Sequence, residues 1–123
     1  MIEASIYSYL NTEIPGVEIV WGKNDKNSVF DGLTPIINFI KVPSVMSNYM
    51  PVFLDVIQFS IRHKNIDVAT EYTNIIIELF QGFYGTMVDY QVWVTDLLFN
   101  GTLYEEEDVV SNTLTVSFKY AGL

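Results

Sequence analysis

The sequence predicts an α+β domain: a mixed, mostly antiparallel sheet of about five strands with two helices packed on one face. Three observations lead to this prediction. Apolar residues recur at helical spacing near the N-terminus and again after residue 65, a long apolar run spans residues 52–62, and strict alternation of apolar and polar residues marks the C-terminal segment. The expected element order is α-β-β-β-α-β-β, in a single domain covering residues 1–123.

The first half of the chain contains one predicted helix and three predicted strands. Ile2, Ile6 and Leu10 are spaced four residues apart, which indicates a helix over residues 3–10. The strands are predicted at residues 17–21, 34–42 and 52–62, with a polar loop at 22–32 and a connection at 43–51. The third strand begins apolar on both faces, so we expect it to be central in the sheet and covered on both sides.

The second half begins with a helix and ends with two strands. The helix is predicted to start at Ile66, with Asn65 as its N-cap. Its predicted buried stripe consists of Ala69, Tyr72, Ile76, Leu79, Phe80 and Phe83. The strands are predicted at residues 90–99 and 113–120. Between them, either a hairpin closes at Asn100-Gly101 or one long loop protrudes, and four adjacent acids at 105–108 favour the loop.

Charge and composition exclude some classes of function. The net charge of −9 argues against a protein that holds the backbone of DNA or RNA, because such binding needs clustered Lys and Arg. The chain has no cysteine, which excludes disulfides and thiolate metal sites. We expect neither a signal peptide nor a membrane span, and no membrane partner. Half of the residues are hydrophobic, more than a domain of this size can bury, which predicts a subunit interface.

Few residues offer chemistry of their own. His63, the single histidine, lies in the polar turn His63-Lys64-Asn65 and is expected to be a solvated turn residue. Asp55 and Asp96 occur in apolar strands, where a carboxylate more often lies at the strand end, or pairs across an interface with a base such as Arg62, than performs acid–base catalysis. We therefore predict no catalytic residue, no cofactor and no metal site. The predicted interaction residues are Glu105, Glu106, Glu107, Asp108, Asp55 and Arg62, with the four acids on a protruding, solvated loop.

Patterns along the whole chain resemble the tail-terminator, or tail-completion, proteins of long-tailed bacteriophages, which are minor capsid proteins of the head–tail joint. The similar segments are the N-terminal helix MIEASIYSYL, the Pro-led strand TPIINFI, and the long strand PVFLDVIQFSIR with Asp55 and Gln58. A short turn with Asn65, a helix with Ala69, and the final strands YQVWVTDLLF and TLTVSFKY complete the likeness.

The resemblance implies a structural virion protein without catalytic residues. Members of that family form rings, often of six subunits, that cap the tail tube and join it to the head, and DNA passes through the hole without specific binding. The implied partners are other copies of the chain, the tail tube protein and a head-completion or connector protein. The implied location is the virion tail or neck, after synthesis in the host cytoplasm.

Two alternatives stay open. The chain could be another head–tail connector or tail-tube component. It could also belong to a different class, as a small α+β ligand-binding module or enzyme with Asp55 or Asp96 in an enclosed pocket.

Overall fold

The computed structural model describes residues 2–22, 34–42, 52–105 and 109–123, and contains two helices and one six-stranded sheet. The helices are α1 (Ile2–Glu13) and α2 (Ile66–Phe80). The strands are β1 (Glu18–Trp21), β2 (Ile36–Val42), β3 (Val52–His63), β4 (Tyr84–Met87), β5 (Tyr90–Tyr104) and β6 (Val110–Gly122). Their order across the sheet is β1-β2-β3-β6-β5-β4. Only β1 and β2 pair in parallel, so the predicted α+β class and mostly antiparallel sheet are confirmed.

Both helices pack on the same face of the sheet, as predicted. The core residues of the helices, among them Ile6, Leu10, Ile76 and Phe80, share one cluster with the alternate residues of β3 and β6. The helix α2 lies over β3, β6 and β5, whereas α1 contacts both β1 and β4, the first and last strands of the sheet. Because α1 touches both ends of the strand order, the sheet must curve around the helical layer.

The predicted central position of β3 is confirmed, but its second face is not fully covered. Asp55, Ile57, Phe59 and Ile61 are buried under the helices. Residues 52, 54, 56, 58, 60 and 62 point to the other face, where all are half-buried. On this open face β3 is flanked by the Ser and Thr residues of β6, so it is a polar surface with apolar patches rather than a second core.

The sixth strand, β4, was not predicted, because nothing in its sequence marks it. Gly82, with φ of 69°, follows the end of α2, and β4 then pairs with the start of β5. Their hairpin has the two-residue loop Val88-Asp89, in which Val88 has φ of 51°. Hairpin loops of this length usually carry Asn or Gly at such positions, so the sequence gives no turn signal.

Both alternatives for Asn100-Gly101 are wrong. The dipeptide lies inside β5, where the pairing register with β6 shifts between Phe99 and Gly101, and Gly101 has φ of 130°. A bulge and a tight turn both favour glycine, so the same dipeptide suits either. The two strands continue to Tyr104 and Val110, and the Glu105 amide donates to the Val109 carbonyl at 2.7 Å. Most of the predicted loop at 22–32 and the connection at 43–51 lie outside the described residues.

Candidate functional site

The predicted interaction residues occupy two separate places in the fold. Asp55 and Arg62 lie near opposite ends of β3 and point to opposite faces of the sheet. Arg62 meets Glu105 on the open face, and Asp55 lies in the core. Glu106, Glu107 and Asp108 lie outside the described residues.

The first place is an ion pair between Arg62 of β3 and Glu105 at the end of β5. The guanidinium donates to one carboxylate oxygen, Oε2, from Nε at 3.1 Å and from Nη2 at 2.6 Å. Ser111 of β6 is the cross-strand neighbour of both Arg62 and Leu103, so the Glu105 side chain reaches across β6 to β3. Both side chains are partly buried. Glu105 is therefore an ion-paired residue of the sheet, which differs from the solvated loop position predicted for it.

A shallow pocket of about 360 Å³ adjoins this ion pair on the open face. Its lining consists of Gly22, Asn38, Ile40, Ser60, Arg62, Glu105 and Ser111. The one carboxylate and the one guanidinium in the lining bind each other, so neither presents an uncompensated charge to a ligand. This arrangement is better explained as an ion pair that holds β5 in place relative to β3 than as a binding site for a charged small molecule.

The second place is a buried cluster around Asp55. Asp55 is 2% exposed; its carboxylate accepts a hydrogen bond from the Tyr120 hydroxyl at 2.6 Å and lies 3.1 Å from Lys41 Nζ. Burial of the ring, followed by the hydrogen bond to Asp55, raises the pKa of Tyr120 well above its ordinary value. Asp55 thus does pair with a base, but the base is Lys41 rather than Arg62. The other acid of an apolar strand, Asp96, is exposed on β5 and lines a shallow, open pocket of about 330 Å³.

His63 is buried, which contradicts the solvated turn predicted for it. Its imidazole Nδ1 accepts a hydrogen bond from the Asn65 amide at 2.9 Å, and Asn65 Oδ1 in turn accepts from the Asp67 amide at 2.8 Å. Asn65 is therefore the N-cap of α2, as predicted. His63 supports the turn that starts α2, which is a structural role.

The outer edge of β5 is the feature that the residue-by-residue prediction missed. Past Val94, whose amide donates to the Phe83 carbonyl, no strand of the described residues pairs with this side of β5. Four large apolar side chains are exposed here: Leu98 at 59%, Phe99 at 47%, Leu103 at 62% and Tyr104 at 69%. The part of the sequence that could have indicated this exposed edge is the uncharged run LLFNGTLY at residues 97–104. It accounts for part of the predicted surplus of apolar residues.

The acidic residues are concentrated in the helical layer. The two helices contain five acids and no base, namely Glu3, Glu13, Asp67, Glu71 and Glu78. All except Glu3 are exposed. The helical side of the molecule is therefore strongly negative, whereas residues 97–104 of β5 carry no charge at all.

Comparisons with known proteins inform the fold only. No model of a known protein family matches the chain, and no curated protein matches it significantly. Among solved structures, the chain is similar to a protein whose name states no function, at 13% sequence identity and a TM-score of 0.50. The likeness covers 99% of this chain and 90% of that chain. Within the described residues, no group of His, Cys, Asp and Glu could hold a metal ion, and neither helix has the length and hydropathy of a membrane span.

Proposed function

We propose that the chain is a structural protein of a bacteriophage virion, a tail terminator whose copies form a ring that caps the tail tube and joins it to the head. The observation that carries the proposal is the exposure of large apolar side chains on β5 in a chain of net charge −9. An acidic protein that keeps an uncharged apolar surface is suited to assembly through that surface.

The distribution of charge supports the passage of DNA through such a ring. Each copy adds nine negative charges. The two helices carry exposed acids and contain no basic residue. A wall of this sign repels phosphate groups, so DNA slides along it without adhering. The proposed partners are therefore other copies of the chain, the tail tube protein and a connector protein, with no specific contact to DNA.

The contacts of the polar clusters favour this structural function over a ligand-binding module or an enzyme. Asp55 is engaged by Tyr120 and Lys41, and Glu105 is engaged by Arg62. Each cluster therefore stabilises the fold with its own internal partners.

The test is termination of tube growth. The chain is added to the tail tube protein encoded in the same genome, and tube lengths are measured by electron microscopy. We expect shorter tubes of narrow length distribution, each with a ring of density at one end. Tubes of unchanged length without terminal density would contradict the proposal, and an internal position along the tube wall would favour a tube component instead.

A further inference from the structure

We infer that the outer edge of β5, over residues 95–104, is the surface to which a second copy of this chain adds, so that a sheet continues from one subunit to the next. The inference rests on the proposed function, because it names the contact through which copies of the chain would assemble.

The edge has the geometry that strand addition requires. On its inner side β5 pairs with β6 along its whole length, which holds the strand extended. On its outer side β4 pairs only with residues 90–93, and the described residues place no strand beyond the Val94 amide. About every second residue of this ten-residue stretch therefore directs its backbone N–H and C=O outward, along about 33 Å. Unpaired edges of this kind are templates for another strand.

The remaining edges of the sheet differ from this one. The other edge strands, β1 and β4, are only four residues long each, and both contact α1. The part of β5 beyond Val94 is ten residues long. Two bulges interrupt the edge, with Thr95 and Asn100 as the extra residues. Bulges limit how far a foreign strand can pair, which suits one defined contact rather than open-ended aggregation.

A groove beside the edge offers space for side chains of the added strand. It has a volume of about 340 Å³ and lies between α2 and β5, lined by Thr70, Thr73, Asn74, Ile77, Phe99, Thr102 and Asn112. The polar atoms of its floor bind one another. Thr102 Oγ1 donates to Asn112 Oδ1 at 2.7 Å, and Asn112 Nδ2 donates to Thr73 Oγ1 at 2.9 Å. The floor thus needs no polar ligand, and Phe99 with Ile77 provides an apolar contact.

Charge explains why the occupant is a second copy. Two molecules of net charge −9 repel each other, most strongly where their acidic helices would meet. The stretch 97–104 carries no charge, so this surface itself adds no repulsion between copies that meet along it. A basic partner, by contrast, would gain more by binding the acidic helices than by binding this edge. Leu98 and Leu103 lie opposite Thr115 and Ser111 on the open face, and Phe99 and Tyr104 lie opposite Leu114 and Val110 on the helical face, so exposed apolar side chains flank the edge on both faces.

The experiment uses substitutions that block the edge but spare the fold. Leu98→Lys with Leu103→Lys places two charges on exposed side chains of the edge, and Leu123→Lys is the matched control. Leu123 is 76% exposed and lies at the opposite end of the β5–β6 ladder. Sedimentation equilibrium up to millimolar concentration measures self-association, and circular dichroism verifies the fold. Because the double variant lowers the net negative charge, a general electrostatic effect would strengthen its association.

We expect the double variant to associate at least about tenfold more weakly than the wild type, while Leu123→Lys associates normally. Amide exchange of residues 95–104 should slow with concentration in the wild type and in Leu123→Lys, but not in the double variant. Equal association of the folded double variant and the wild type, or a wild type that stays monomeric at every concentration, would overturn the inference. Tube capping is measured separately, so capping by the folded double variant would overturn the inference and leave the proposed function standing. Loss of capping in every protein, the wild type included, would instead overturn the proposed function.

Discussion

Arg62 and Glu105 are 43 residues apart in the chain, yet two nitrogens of the Arg62 guanidinium donate to one carboxylate oxygen of Glu105. The pair spans three neighbouring strands, because β6 lies between the strands that hold the two residues. It holds the far end of β5 against β3, beyond the stretch of β5 that β4 covers. The ion pair therefore supports the strand whose free edge is the proposed contact surface.

Glu105→Gln should lower the free energy of unfolding by about 1 kcal/mol. A partly buried ion pair with two charge-assisted hydrogen bonds stabilises the fold more than an exposed ion pair does. Urea denaturation of the single variants and of the double variant with Arg62→Met isolates the coupling energy. The coupling should shrink at high salt, because partly exposed charges are screened. A coupling energy near zero at low salt would show that the pair does not stabilise the fold.

Replacing Glu106, Glu107 and Asp108 together by Ser should change the free energy of unfolding by less than about 1 kcal/mol, as surface substitutions generally do. Glu105 is kept in this variant because it is engaged by Arg62. Thermal denaturation of the triple variant is compared with that of Glu105→Gln. The comparison separates the effect on stability of the paired acid from that of the other three. Reduced tube capping by the folded triple variant would assign these acids to the lumen or to the neck partner. Unfolding of the triple variant would show that the acids hold structural contacts.

The sequence predicted what depends on local pattern. The spacing of Ile2, Ile6 and Leu10, the alternation in β6 and the N-cap Asn65 each act within a few residues, and the structure confirms all three. The prediction failed where one local signal suits two conformations. Asn100-Gly101 fits a turn as well as the bulge that it forms, and the Val88-Asp89 hairpin has no turn residue to reveal it.

The candidate sites depend on contacts between distant segments, which pattern alone does not encode. Asp55 was expected at a strand end or paired with a base across an interface, but its partners Lys41 and Tyr120 belong to the same chain and follow from the register of β2, β3 and β6. The outer edge of β5 is exposed because β4 is short, and no hydrophobic periodicity in the sequence indicates the length of β4. Composition indicated that some large apolar side chains lie outside the core, and the structure confirms this; the subunit interface inferred from them stays a prediction.

Val88→Asn should raise the free energy of unfolding by about 1 kcal/mol, because a β-branched residue at positive φ is strained and Asn tolerates this conformation. Val88 is exposed in the two-residue loop and has φ of 51°, so the substitution removes no core contact. Thermal and urea denaturation measure the change. The conservative control Val88→Ile keeps the β-branched side chain and should give no gain. A destabilised Val88→Asn variant would mean that the Val88 side chain stabilises the hairpin in some other way.

Duplex DNA should not bind the chain tightly at about 0.15 M salt, since affinity at that ionic strength requires several phosphate contacts from Lys or Arg. Fluorescence anisotropy with a labelled duplex measures binding, and lowering the salt reveals any weak attraction. Glu71→Lys with Glu78→Lys, on exposed positions of α2, should increase binding. Submicromolar affinity of the wild type would contradict the electrostatic argument for a sliding surface.

The hydrogen bond from Tyr120 to Asp55 makes the fold sensitive to alkaline pH. An ordinary tyrosine has a pKa of 10.0, whereas burial and then the hydrogen bond to Asp55 raise the pKa of Tyr120 far above this value in the folded chain. Below pH 10 the phenol is protonated in both states, so it adds no pH dependence. Above pH 10 the unfolded chain loses this proton while the folded chain keeps it. The unfolded state then binds fewer protons, and the free energy of unfolding falls by up to about 1.4 kcal/mol per pH unit.

Tyr120→Phe removes this titration and should therefore flatten the fall in stability above pH 10. It should not abolish the fall, because burial and Glu13 raise the pKa of Tyr9 in the same direction. At neutral pH the same variant should lose about 1–3 kcal/mol, since buried Asp55 loses a hydrogen bond and keeps Lys41. Tyr104→Phe, at an exposed position, is the control. Urea denaturation from pH 8 to about pH 11.5 gives both slopes, and an equal slope in Tyr120→Phe and the wild type would mean that Tyr120 ionises as readily in the fold as in the unfolded chain.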